Sequence, residues 1–379
     1  MITKKNLFSI DFVLLFLVLA ISMFGIIIIG SATKINTADA TGEFESQIMW
    51  FVTGIFLMAV TAFVDYHVIC KFYIPLYIIN VVLLVIVLFL GDGDGVNRWI
   101  FGIQPSEFSK IFMIVFLAKF VDKNNETINE FKTLGIVFVA TLVPTVLIKM
   151  QPSLSASLVT IAIMLVILFV GNLNRKYILV ALAIIVPIGL IFFIDLLSEE
   201  HFILSKFLNP YHINRILSAL NPDWSDPLYY QTRNSIWAIG SGGLGGKGLY
   251  QGTINQLSYL PESHNDFVFS VVGEEFGFIG CIAVLVIMLL IILKCVSVAN
   301  RASDNIGMYI ASGVAGMFAF QVFVNVGVAT GLLPNTGMPF PFLSYGGSSM
   351  WMNMMAIGLV INVGLRKPKS LFERWLYWI

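Results

Sequence analysis

Charge is the scarcest thing in this sequence. Asp, Glu, Lys and Arg make up 12% of its 379 residues, against about 25% in an ordinary soluble domain. The two signs also cancel, 22 against 22. Without clustered Lys and Arg there is nothing to displace counterions from phosphates, so nucleic acid is excluded as a partner. Cysteine is nearly missing: Cys70, Cys281 and Cys295 are odd in number and show no CxxC or Cys/His spacing. That excludes a disulfide framework and a structural zinc site. What fills the chain instead is apolar. Hydrophobic residues are 58% and mean hydropathy is +0.89, more than a soluble fold can hide while keeping a wet surface. The sequence is that of an all-α, polytopic membrane protein, and a soluble enzyme is ruled out.

A spanning helix needs about 20 mostly apolar residues. Ten stretches qualify, at 11–30, 48–66, 73–91, 104–121, 133–149, 154–170, 177–195, 267–293, 306–330 and 348–365. The first follows Lys4 and Lys5, and its apolar run exceeds the roughly 7–15 residues of a signal-peptide core, so it is expected to stay as a signal anchor. Positive charge orients the set. With the N-terminus in the cytoplasm, fourteen of the 22 Lys and Arg fall on inner segments, and only Lys34, Arg98 and Lys149 fall in short outer loops. Both termini are then cytoplasmic. The chain reads as a single transmembrane domain, 1–379, with a long extracytoplasmic loop at 196–266 between the seventh and eighth spans. Long loops with their own chemistry are usually functional, and no internal repeat suggests the duplicated halves of a transporter. The working face is expected outside.

Three clusters carry chemistry there. The first is NRWI at 97–100 followed by QPSEFSK at 104–110. Pro105 suits a first helical turn, where Ser106 or Glu107 can cap the amides. Glu107 and Lys110, three apart on one helix face, can pair within the membrane. Read blandly, this is an interfacial Trp beside a structural ion pair. Read functionally, Arg98 and Lys110 contact phosphate and Trp99 faces a ligand.

The second cluster runs GSGGLGGKGLYQGTINQLSYLPESHNDFVFSVVGEEFGFIG over 240–280. Seven glycines between Gly240 and Gly252 are incompatible with a stable helix interior. They suit a loop whose amides approach an anion, with Lys247 adding charge. No GxxxxGK[ST] spacing exists, so a nucleotide P-loop is rejected. Asp266 falls at or near a helix start, where it is either a cap or, flanked by Glu262 and His264, a general base. Glu274 and Glu275 lie deeper in the same span and need partners or a proton.

The third cluster is GLLPNTGMPFPFLSYGGSS at 331–349. Its prolines and glycines forbid regular helix, and irregular backbone at membrane depth survives only inside protein or along a wet cavity. A re-entrant loop is expected, with Ser348 and Ser349 turned towards a binding site. The serines of QPSLSAS at 151–157 either add hydroxyl donors to that cavity or let helices pack closely.

These three motifs resemble those of the SEDS family (shape, elongation, division and sporulation), the RodA/FtsW/SpoVE polymerases of bacterial peptidoglycan. Together with ten spans and a long outer loop, the likeness covers nearly the whole chain. The GKG…QGTINQL…LPE version is more similar to the RodA, or elongation, branch than to the division branch. The resemblance implies a glycosyltransferase that joins lipid II units into a growing glycan strand at the outer membrane face, in cell elongation and shape maintenance. A sugar 4-hydroxyl attacks an anomeric carbon bearing undecaprenyl pyrophosphate. The family's essential aspartate matches Asp266 and its loop tryptophan matches Trp99.

Such an inverting transfer needs a carboxylate to take the acceptor proton and cations to hold the departing pyrophosphate. Arg98, Lys110, Arg215, Arg233 and Lys247 are the outer-half candidates. A divalent cation, Mg²⁺ or Mn²⁺, can share the role, although no compact carboxylate cluster demands one. The implied partner is a class B penicillin-binding protein, a single-span transpeptidase, with membrane lipid around the substrate tail.

Two positions depart from the family, mildly at Asn265, where His-Thr is common and His264-Asn265 stands here, and more strongly at residue 153. The family's usual QPDLGT reads Gln151-Pro152-Ser153-Leu154-Ser155-Ala156 here, so no carboxylate stands at residue 153. The alternatives are a lipid II flippase, a division or sporulation paralogue, and a non-catalytic scaffold of the same family. A flippase requires a polar route to the inner side, of which the spans show little. Retention of Asp266, Trp99 and Arg98 argues against a scaffold.

Overall fold

The computed structural model describes residues 10–33, 40–91, 98–100, 102–151, 153–198, 206, 213–214, 216–218 and 229–366. Each of the ten expected spans coincides with a helix. In chain order these are α1 (Phe12–Thr33), α2 (Ala40–Phe63), α4 (Tyr73–Leu90), α5 (Pro105–Lys123), α6 (Phe131–Met150), α7 (Leu154–Val170), α8 (Arg175–Leu197), α11 (Val268–Asn300), α12 (Asn305–Ala329) and α13 (Gly347–Leu365). Three shorter helices join them: α3 (Tyr66–Lys71), α9 (Tyr230–Ser241) and α10 (Thr253–Gln256). Seven of the described helices are long and apolar enough to cross a bilayer, and α7 is a shorter apolar one. Seven such helices define a multi-pass membrane protein.

Three of the helices, α1, α8 and α12, start where a short polar side chain satisfies a first-turn amide. Asp11 Oδ1 accepts from the Leu14 amide, Asn174 Oδ1 from Lys176, and Asp304 Oδ1 from Gly307. Their packing is uneven. Within their apolar windows α13 is 83% buried and α4 17%, so α13 runs through the middle of the bundle and α4 lies at its edge. Phe16, Phe56, Phe89 and Phe169 stand exposed on outer helices, where lipid tails are as good a neighbour as protein.

Part of the expected 196–266 loop is helical. α9 docks on α11 through Ser235, whose hydroxyl lies 2.5 Å from that of Ser270 and donates to the Ala329 carbonyl at 2.6 Å. α11 itself is broken at Gly277 (φ 66°, ψ −162°), and the 242–248 segment seats itself against the break. The amides of Lys247 and Gly248 donate to the Glu274 and Glu275 carbonyls, and those of Phe278 and Ile279 donate to the Gly243 and Leu244 carbonyls.

Two polar clusters mark the bundle's opposite ends. At one end the α2–α3 turn, the α12 start and the α13 end meet. His67 there lies 2.8 Å from carboxylate oxygens of both Asp65 and Asp304, and Arg366 reaches Asp65 at 3.1 Å. Burial pushes the Asp65 carboxyl up, but the His67 amide and ring and the Arg366 charge outweigh it and hold it below its ordinary value. The other end holds the cleft described next.

Candidate functional site

A cleft of about 400 Å³ opens where α5, α7 and α13 begin. One wall is the 98–104 segment with the first turns of α5: Arg98, Trp99, Gln104, Glu107 and Lys110. A second is the start of α7, including Ser153 and Ser155. A third is the turn before α11, with Glu262, Asn265 and Asp266. The last is the irregular 337–346 segment, backed by Trp50 of α2. Three sequence clusters far apart in the chain therefore converge on one space.

α5 begins at Pro105 with Gln104 as N-cap, and no side chain caps it. The Gln104 amide instead donates to Ser348 Oγ at 2.9 Å. Ser348 thus ties the start of α13 to α5, and its neighbour Ser349 is the one that lines the cleft. Lys110 Nζ donates to both oxygens of Glu107, at 2.7 and 2.8 Å, and both side chains are buried. Removing either partner would strand a charge in low dielectric, a cost of about 3–5 kcal/mol. Arg98 is aimed by its Nε, which donates to the Gln151 carbonyl at 2.9 Å. Trp99 is 40% exposed, beside a tight turn in which Ile100 and Ile103 exchange both backbone hydrogen bonds at 2.9 Å.

Asp266 stands one residue outside the α11 N-cap, which is Phe267 and carries no side-chain cap bond. A Cβ added to Gly337 would sit 3.4 Å from Asp266 Oδ2, so the carboxylate lies against the 337–346 segment. The Asp266 carbonyl accepts from Asn325 Nδ2 at 2.9 Å. Two non-glycine residues hold left-handed backbone in these walls, Glu262 (φ 55°) and Phe342 (φ 66°), each a strain of roughly 1–3 kcal/mol. The Glu262 carboxylate accepts from Asn265 Nδ2 at 2.7 Å.

Other expected site residues fall elsewhere. Lys247 leaves the cleft for Glu274, donating to its Oε1 at 2.6 Å. Glu274 also accepts from the Ile254 and Asn255 amides at the start of α10. The Lys247 and Gly248 amides go to backbone carbonyls, and those of Tyr250 and Gly252 donate to the buried Glu275 carboxylate, so the anion this loop meets is the protein's own. Glu275 accepts from Ser31 Oγ at 2.5 Å. Arg233 lies on α9 with its guanidinium about 5 Å over the rings of Tyr230 and Trp237. His264 sits behind the cleft, edge-on to Tyr345 with centroids 5.5 Å apart and 4.0 Å from Glu43. Arg215 lies outside the described residues.

The sequence marks neither Trp50 nor Asn325, and gives Tyr345 no role beyond the third motif. Trp50 packs 5.0 Å from Tyr345; a lone Trp in an apolar helix gives no signal of a site. Burial pushes the Tyr345 phenol up, with the Glu43 carboxylate adding to the shift, so the hydroxyl keeps its proton at neutral pH. Among the described residues no three His, Cys, Asp or Glu side chains gather to hold an ion, and the two oxygens of Glu107 are engaged by Lys110. The donor set does not fit a protein-built cation site.

An all-helical membrane bundle with a polar, carboxylate-bearing cleft at one end is the class these features define. Its family follows from comparison: the model of the FtsW, RodA and SpoVE cell cycle proteins matches residues 12–368, and the chain belongs to that family. It is 37% identical over 381 residues to stage V sporulation protein E of Bacillus subtilis, covering 96% of this chain and 98% of that one. It is 34% identical over 367 residues to the probable peptidoglycan glycosyltransferase FtsW of Trichlorobacter lovleyi, covering 93% and 92%. A chain solved in work on structural coordination of polymerization and crosslinking by a peptidoglycan synthase complex superposes with a TM-score of 0.76. Identity there is 29%, with 94% of this chain and 97% of that one covered.

Proposed function

We propose that this protein is a peptidoglycan glycosyltransferase that polymerises lipid II at the outer face of the cytoplasmic membrane and releases undecaprenyl pyrophosphate. The observation that carries the reading is the meeting of Asp266 with Arg98, Trp99 and the Glu107–Lys110 pair around one cleft. The names of the relatives support the reaction class. Both termini are cytoplasmic in this reading, and the cleft opens outside, as the distribution of Lys and Arg favours.

The Asp266 carboxylate takes the proton from the acceptor sugar 4-hydroxyl as the new bond forms at the anomeric carbon. The C–O bond to the pyrophosphate breaks, and its electron pair leaves with the departing group. Arg98, on the facing wall, stabilises that developing charge. Lys110 is neutralised by Glu107, so it contributes a directed N–H more than net charge. The protonated Tyr345 phenol adds a hydrogen-bond donor to the rim. A crosslinking partner, a class B penicillin-binding protein, is supported by the synthase complex whose chain this one superposes on. Our assignment to elongation rests on the GKG…QGTINQL…LPE segment, because identities of 37% to a sporulation protein and 34% to an FtsW do not separate the branches.

The test is lipid II polymerisation by purified protein with its cognate transpeptidase. Wild type is expected to give glycan ladders, and folded Asp266→Asn to lose at least about 100-fold in turnover, the scale of general-base catalysis. Equal ladders from both would remove Asp266 as the base.

A further inference from the structure

The turn that carries Asp266 lies outside α11, so its carbonyls receive no helical amide and must find partners elsewhere. Three in succession do. The Tyr345 amide donates to the His264 carbonyl at 2.9 Å. Ser344 Oγ donates to the Asn265 carbonyl at 2.7 Å while accepting from the Phe340 amide at 2.7 Å. Asn325 Nδ2 donates to the Asp266 carbonyl at 2.9 Å and to the Met338 carbonyl at 2.6 Å. Asn325 is 1% exposed and Ser344 3%, so water cannot replace either.

The last of these ties is the informative one. Met338 adjoins Gly337, against which the Asp266 carboxylate rests. One primary amide therefore spans the two sides of the carboxylate's seat, joining the turn that carries it to the irregular segment that backs it. Only a short side chain with two N–H donors can do this. Asp has none when ionised, Leu has none, and Gln is a methylene longer. Behind the same segment, Gln47 of α2 closes the frame, donating to the Ser344 carbonyl at 3.4 Å and accepting from the Gly346 amide at 3.2 Å.

We propose that Asn325 is a positioning residue for Asp266, with Ser344 assisting through the preceding carbonyl. The inference rests on Asp266 being the base. It explains why a proline- and glycine-rich segment must be built so rigidly beside a cleft: its hydrogen bonds fix a carboxylate that belongs to another part of the chain.

The experiment is steady-state lipid II polymerisation by full-length protein with its transpeptidase, alongside thermal melting. Asn325→Leu is expected to lower kcat about 100-fold with KM within about twofold, as a misplacement of about 1 Å does. Ser344→Ala, which removes a single tie, is expected to lower kcat about tenfold. Both should keep a cooperative melt, and if Asn325→Leu does not fold, Ser344→Ala alone decides. Wild-type kcat in folded variants, with Asp266→Asn inactive, would overturn the positioning role and leave the base standing. A loss that only follows the folded fraction, or that falls on KM, would likewise overturn it. Full activity in Asp266→Asn would overturn the base and this inference together.

Discussion

Two glycine-rich segments of this protein, 240–252 and 331–347, have similar composition and different work. In the first, Gly242 and Gly246 meet backbone, while Gly252 meets a side chain, the buried Glu274 carboxylate, whose Oε2 would lie 2.8 Å from an added Cβ. A Cβ on Gly242 would sit 2.0 Å from the Gly273 carbonyl oxygen, and one on Gly246, at φ 79°, would sit 2.1 Å from the Glu275 carbonyl oxygen. The segment is a wedge driven into the break of α11. In the second, Gly337 and Gly346 line a cleft, and the nearest atom to a Cβ on Gly337 is a carboxylate oxygen at 3.4 Å. The contrast shows that glycine content marks close approach without saying what approaches. Only where the neighbour is a carboxylate that lines the cleft, as Asp266 does beside Gly337, does the close approach bear on chemistry.

Adding one methyl group to each segment separates the two roles. Gly246→Ala combines left-handed strain with a clash against backbone that cannot move aside, roughly 3 kcal/mol in all. We expect its melting temperature to fall by several degrees while the kcat of the folded fraction holds. Gly337→Ala, at φ 68°, carries strain of about 1 kcal/mol but an ordinary contact distance. Its melt should stay near wild type while turnover drops about tenfold, because the added methyl takes up cleft space beside the Asp266 carboxylate. If Gly337→Ala lost stability and kept turnover, the two segments would be doing the same job.

Much of this was legible in the sequence, and the limits have physical reasons. The ten apolar stretches became helices because a bilayer leaves a backbone no other way to satisfy its amides. The pairing of Glu107 with Lys110 followed from a spacing of three on one helix face. The irregular backbone of 331–346 followed from its prolines and glycines. Less visible was α9, Tyr230–Ser241, whose mixed sequence offers no long apolar run and which owes its place to tertiary contacts through Ser235. Asn325 was invisible for a related reason. It sits inside a span, and its two acceptors are carbonyls 59 and 13 residues away, so nothing local announces it. Asp266 read equally well as a cap until Phe267 took that position.

Lys247 separates the two segments by charge. In the sequence it was a candidate to hold pyrophosphate, on equal terms with Arg98. In the fold Lys247 answers a buried carboxylate, while Arg98 lines the cleft. Glu274 is fully buried and Lys247 about a quarter exposed. Lys247→Met would take one donor from Glu274 and leave it three: the Ile254 amide at 2.8 Å, the Asn255 amide at 3.0 Å and Thr253 Oγ1 at 3.3 Å. The cost is then below that of stranding a buried charge outright, about 2 kcal/mol. We expect a modestly lower melting temperature with KM for lipid II unchanged, whereas Arg98→Met should raise KM or lower kcat without affecting the melt. A rise in KM from Lys247→Met equal to that from Arg98→Met would put the wedge back among the substrate contacts.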